Sequence, residues 1–248
     1  MNWKIQKFET CESTNTKLKQ ALLEGKVKVG AVFMTLEQTK GRGRLDRSWI
    51  SPQGNLAMSV ACPLPQNPQE VYQLNLIAAW SVLCLLKNKY SFEDLFLKWP
   101  NDVWIGDKKI CGILSESFSE KKVAIVGIGI NVNSRLQDFP KNLQPSLTTL
   151  REVSGSEFDF SQFVKNFLEI FQNDLEHYAQ AGLAFFLPEM KTHLKYFGQK
   201  VQVESSGTTF EGEVLGIDEN GFLKIQTRAG ARQVLAGDIT LSEEICYL

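Results

Sequence analysis

Between residues 95 and 133 the chain offers four short apolar runs, "LFLKWP", "DVWI", "KKICGILSES" and "KVAIVGIGINVN". "GD" at 106–107 and "SEKK" at 119–122 separate the later ones and have the residue types of hairpin turns. Connections this short join antiparallel neighbours, because a parallel pair needs a crossover of about a dozen residues or more. A parallel doubly wound sheet therefore fits poorly. The stretch predicts the sheet of an α+β domain, mixed or antiparallel, with packed helices.

The flanks supply those helices and more strands. Residues 3–8 alternate as a strand, and "STNTKLKQALLEG" follows as a helix. Ser13, Thr14 or Asn15 would cap it, Leu18, Ala21 and Leu22 form its inner stripe, and Gly25 stops it. "GAVFMTLEQ" and "NLAMSVACPL" read as strands. From Gln69 to Lys87, Leu74, Ile77, Ala78, Val82 and Leu85 recur at helical spacing. Residues 159–180 repeat the pattern with Phe163, Phe167, Ile170, Phe171, Leu175 and Tyr178, an aromatic stripe expected in the core. A second helix is expected to run to about Tyr196. After Gly198 the character changes to short strands, with "DENG" at 218–221 as a hairpin turn. The expected division is a larger domain over 1–197 and a small β-barrel over 198–248.

Composition removes several classes of function. At 43% apolar and 22% charged residues, the chain buries an ordinary core. It has no run of about 18 apolar residues to span a membrane, and its start lacks the apolar segment of a signal peptide. A formal net charge of −1 argues against a general nucleic-acid binder. The cysteines at 11, 62, 84, 111 and 246 are odd in number and form no C-x-x-C pair, which suits free thiols in a reducing cytoplasm. His177 and His193 lie far from any cysteine pair, so no zinc site is expected. Cys111, on an apolar strand, reads as inert packing.

Against this balanced background, "KGRGRLDRSW" at 40–49 gathers three arginines and a lysine around two glycines. The glycines disfavour a helix or a central strand, so the segment predicts a flexible loop that closes on a small anion. "KWPNDVW" at 98–104 is unusual for a strand end: Asp102 could hold a metal ion or an amine beside an aromatic wall, or the segment is a solvated turn. Lys109 could project toward the same cleft. "VGIGINVN" at 126–133 lacks the third glycine of a dinucleotide fingerprint. Its glycines either pack close to another backbone or let a ligand lie on the strand, with Asn131 offering an amide.

In order, "STN" at 13–15, "EQTKGRGRLDRSW" at 37–49, "KWPNDVW", "KKICGIL" at 108–114 and "GIGINVN" at 127–133 closely resemble the biotin protein ligases, over essentially the whole chain. The resemblance implies a class II synthetase-like catalytic domain with an SH3-like C-terminal barrel. It implies an enzyme that joins biotin and ATP into biotinyl-5′-AMP, releases pyrophosphate, and passes biotin to a lysine of a biotin carboxyl carrier protein. By the same resemblance, Ser13, Thr14, Asn15 and Gln38 match the segment at the biotin head. Gly41, Arg42, Gly43 and Arg44 match the loop over biotin and its adenylate. Arg47 and Trp49 match positions at the nucleotide, Lys109 the lysine at the reacting carboxylate and α-phosphate, Gly112 the biotin pocket, and Asn131 an asparagine at the adenylate. Arg44, Lys109 and Asp102 are the expected catalytic residues.

The chemistry agrees with that assignment. A carboxylate attacking an α-phosphate brings two anions together, which Arg42, Arg44 and Lys109 would neutralise while Mg²⁺ covers the pyrophosphate. No nucleophilic side chain is needed. The resemblance also implies a cytoplasmic, monofunctional enzyme, a monomer or homodimer, since twelve residues before Ser13 leave no room for a DNA-reading domain. "ITLSEE" places Ser242, Glu243 and Glu244 where some relatives have a basic residue near ATP. The alternatives are a lipoate ligase or octanoyl transferase and a non-catalytic biotin-binding regulator.

Overall fold

In the computed structural model, which describes residues 1–205 and 207–242, five strands lie within the first 63 residues: β1 (Lys4–Phe8), β2 (Ala31–Thr35), β3 (Gln38–Arg42), β4 (Ser48–Ser51) and β5 (Leu56–Pro63). The four expected runs follow as β6 (Leu95–Lys98), β7 (Asp102–Ile105), β8 (Lys108–Phe118) and β9 (Val123–Ile130). Seven of these nine make one sheet in the order β1-β2-β5-β9-β8-β7-β6. Only the β1–β2 pair is parallel; every other neighbour is antiparallel, as the short turns require.

Strand alternation sends alternate residues to two different layers. From β9, Val126, Ile128 and Ile130 face a large core with α2 (Gln73–Tyr90) and α4 (Phe160–Ala181), whose Phe163, Phe167 and Phe171 are completely buried. Val123 and Ile125 face the other way, onto Leu18, Ala21 and Leu22 of α1 (Thr14–Leu23). Helix α1 is ten residues long and covers only part of that face. The remainder of the face is where the cleft forms.

Local signals explain the helix ends. The Ser13 side chain caps α1, and Asp159 caps α4 by accepting from Gln162 N at 2.7 Å. Two expectations need correction. The second C-terminal helix is short: α3 (Leu150–Ser154) precedes α4, and α5 (Leu187–Thr192) ends early because Leu194 pairs beside Leu97 of β6. Residues 40–49 are not a loose loop but the tip of a hairpin of β3 and β4. Leu45 and Asp46 supply its turn, both left-handed at φ 53° and 58°, as a two-residue hairpin turn requires. Gly41 serves close approach: a Cβ there would run into the Trp49 carbonyl.

β10 (Lys200–Ser205), β11 (Thr208–Ile217), β12 (Leu223–Thr227), β13 (Gly230–Val234) and β14 (Asp238–Leu241) form a five-stranded antiparallel sheet in the order β13-β12-β11-β10-β14. Its Val201, Val203, Leu223 and Ile225 continue the large core. Trp99 Nε1 donates to the Gly221 carbonyl at 3.0 Å, tying this sheet to the turn after β6. Glu243, Glu244 and Cys246 lie outside the described residues. Cys62 and Cys111 are fully buried free thiols whose burial pushes their pKa up, so they are inert packing.

Candidate active site

The uncovered face of the main sheet is bare because of three glycines. Gly127 and Gly129 continue the face that Val123 and Ile125 begin on β9, and Gly112 pairs with Gly129 from β8. With no side chains there, the strands floor a cleft lined by Ser13, Thr14, Asn15, Gln38, Arg42, Gly43, Arg44, Arg47, Trp49, Asp102, Lys109 and Gly112. Twelve of the fourteen residues expected from sequence thus meet in one cleft. Gly41 sits behind it in β3. Asn131 is buried outside it, accepting from Asn55 Nδ2 at 3.0 Å and donating to the Thr148 carbonyl at 3.1 Å.

The head end is polar. Gln38 Oε1 accepts from the Thr14 backbone N–H at 2.8 Å, and Asn15 Nδ2 donates to Glu116 Oε2 at 2.8 Å. A Cβ on Gly127 would overlap the Asn15 amide. Replacing Gly127 with alanine should therefore displace Asn15 and weaken binding of the head-end ligand by about tenfold or more, the scale of one or two lost hydrogen bonds. Calorimetric titration checks this, and unchanged affinity would remove Asn15 from the site.

The β3–β4 hairpin roofs the cleft, and its arginines hold three different walls. Arg42 pairs with Glu116 of β8 at 3.0 Å, Arg44 Nη1 donates to Asn101 Oδ1 at 3.2 Å, and Arg47 pairs with Asp238 of β14. Burial pulls the Arg44 pKa below its usual range, partly offset by Asp238 and Asp102, whereas the hydrogen bond to Asp238 raises that of Arg47. The Arg47–Asp238 pair is largely exposed and worth at most about 1 kcal/mol. Asp238→Ala should accordingly speed amide exchange at Gly43 and Arg47 by up to about fivefold. No change would show that Arg42 and Arg44 hold the hairpin without Arg47.

At the other end Lys109 Nζ lies 2.7 Å from Asp102 and 5.6 Å from the centre of the Trp49 ring. Its orientation depends on a β-bulge. Asp102 pairs with Gly112 and Val103 with Cys111, but Trp104 pairs with Lys109, leaving one extra residue on β8. In unbroken pairing Lys109 would point to the opposite face from Gly112; the bulge turns it into the cleft. Asp102 Oδ1 is buried without a partner. The Trp49 indole lies across Gly129, where a Cβ would collide with it.

Asn101 and Asp238 are cleft groups that sequence reasoning missed as site residues, and Glu116 and Ser59 lie just behind the lining, each bonded to Asn15. Asn101 carried a signal, standing inside "KWPNDVW"; the other three come from ordinary strand positions.

Comparison with known proteins places this arrangement. Residues 8–133 match the biotin/lipoate A/B protein ligase family, to which the chain belongs. Residues 196–242 match the biotin protein ligase C-terminal domain. The chain is 31% identical over 233 residues to the bifunctional ligase/repressor BirA of Bacillus subtilis, covering 92% of this chain and 71% of that protein. It is 28% identical to the biotin–[acetyl-CoA-carboxylase] ligase of Paracoccus denitrificans, covering 84% and 89%. The structure of biotin protein ligase from Aquifex aeolicus in complex with biotin and ATP superposes with a TM-score of 0.83 at 31% identity, over 96% of this chain and 97% of that one.

Proposed function

We propose that the chain is a biotin protein ligase that activates biotin with ATP and transfers it to a lysine of a biotin carboxyl carrier protein. The observation that carries this reading is the cleft itself: a glycine floor, a polar head end, and Lys109 with Arg44 and Arg47 toward the far end. Ser13, Thr14, Asn15 and Gln38 hold the ureido head, and the valeryl chain runs past Gly112, between Asn15 over Gly127 and Trp49 over Gly129. The biotin carboxylate then reaches Lys109. Its oxygen attacks the α-phosphorus of ATP, the bond to the bridging oxygen breaks, and pyrophosphate leaves.

Lys109, Arg42 and Arg44 offset the charge of the two approaching anions, and Arg47 and Trp49 bound the nucleotide. Asn131 contributes to the adenylate site from behind the floor. Magnesium fits one group here, the buried and unpartnered Oδ1 of Asp102, which would hold it; when bound, its charge offsets that of the phosphates. The adenylate is a mixed anhydride, so the hairpin's second task is to keep water away until the carrier lysine arrives. The carrier ε-amine attacks the acyl carbon and AMP leaves.

A lipoate or octanoyl transfer is not favoured, because the head end is hydrogen-bonding rather than apolar. A non-catalytic binder has no need of Lys109 and Asp102 on the cleft floor. The test is pyrophosphate release that requires both biotin and ATP, with lipoate as the control acid. Release with lipoate, or none with biotin, contradicts the reading.

A further inference from the structure

Behind the head end runs a chain of hydrogen bonds whose direction is set at one end. Asn15 Nδ2 donates to Glu116 Oε2 at 2.8 Å and to the Leu114 carbonyl at 3.2 Å. A carboxylate and a carbonyl only accept, so the amide nitrogen has to face them and Oδ1 has to face Ser59 Oγ, 2.5 Å away. Ser59 is completely buried and carries one proton, which goes to Asn15 Oδ1. Ser59 Oγ also lies 2.7 Å from Thr14 Oγ1, so the proton on that contact has to come from Thr14. Gln38 Oε1, which also accepts from the Thr14 backbone N–H, competes for it from 3.1 Å, the longer of the two contacts. Thr14 is left with only lone pairs to offer the cleft. Arg42 donates to both oxygens of the same Glu116 at 3.0 Å, so the hairpin clamps the end of the chain.

We propose that Ser59 and Glu116, neither of which lines the cleft, are positioning residues that fix the hydrogen-bond polarity of the head subsite, so that Thr14 selects a ligand presenting an N–H group. The inference rests on the biotin-activating reading above, in which the ligand head is a cyclic urea with two N–H groups. A ring carrying oxygen in place of that N–H sets acceptor against acceptor. A dithiolane leaves the cleft-facing lone pairs of Thr14, only 3% exposed, without a donor. Sites built to pair a polar group reject analogues that lack it far more strongly than they reject a missing methylene.

The test measures kcat/KM for pyrophosphate release with biotin and with its two cyclic carbamate analogues, each having one ureido N–H replaced by ring oxygen. The unaltered protein should prefer biotin over one carbamate by about a hundredfold or more. In Ser59→Ala the Thr14 proton loses its shorter contact, and only Gln38 Oε1 at 3.1 Å competes with the ring oxygen for it. That preference should fall about tenfold, mainly through KM, as loss of a ground-state contact does. Glu116→Ala removes no fully buried packing and should lower the same preference about threefold, because Leu114 still orients Asn15. A general loosening of the fold would weaken both acids alike and leave the ratio unmoved. Preferences unchanged in both variants overturn the proposal while biotin activation stands. No biotin-dependent release by the unaltered protein overturns the reading beneath it.

Discussion

Lys109→Ala should slow adenylate formation by roughly tenfold to more than a hundredfold, since a charge-assisted hydrogen bond is worth about 1.5–3 kcal/mol and each 1.36 kcal/mol is tenfold in rate. The site gives a reason to expect the upper part of that range. Lys109 lies 2.7 Å from Asp102, whose Oδ1 already lacks a partner. Removing the ammonium deletes a donor to the reacting anions and also leaves an unpaired carboxylate beside them. Biotin affinity, set at the opposite end of the cleft, should change far less than the rate. A single variant forming adenylate at the unaltered rate would remove Lys109 from the chemistry.

Arg44→Gly acts on retention. Its guanidinium is drawn inward far enough for burial to lower its pKa, and it tethers the hairpin to Asn101 at 3.2 Å. Glycine removes both the charge facing the adenylate phosphate and the tether, and it adds backbone freedom beside a turn already in the left-handed region. Adenylate formation should slow, but dissociation should rise proportionately more, by about tenfold or more for a lost charged contact. The escaped anhydride would acylate exposed lysines on unrelated proteins. Biotin incorporation into a protein mixture, followed beside the adenylate off-rate, measures both. If neither rises, the hairpin contributes to activation alone.

Much of the site was legible because its residue types are unusual where they stand. An arginine–glycine segment, a lysine and aspartate around Pro100, and glycines within an apolar strand each violate the local rule for their element. Periodicity then placed them: the face on which Val123 and Ile125 pack α1 is the face on which Gly127 and Gly129 leave room for Asn15 and Trp49. The glycine segment itself was misread as a loop, because propensity cannot see that Gly41 is needed for close strand approach to Trp49. The orientation of Lys109 was expected without its cause, since a bulge is a property of pairing and not of any residue. Ser59, Glu116 and Asp238 were invisible for a related reason. Each is an ordinary polar residue whose partner stands between 44 and 191 positions away in the chain.

The most direct test isolates the intermediate. The protein is incubated with biotin, ATP and magnesium, freed of all three by rapid gel filtration, and then mixed with a biotin carboxyl carrier domain. The carrier should gain the mass of one biotinyl group on one lysine without further ATP, and AMP should appear in equal amount. A carrier that stays unmodified until ATP is restored, or that is labelled equally well when lipoate replaces biotin, would contradict the account.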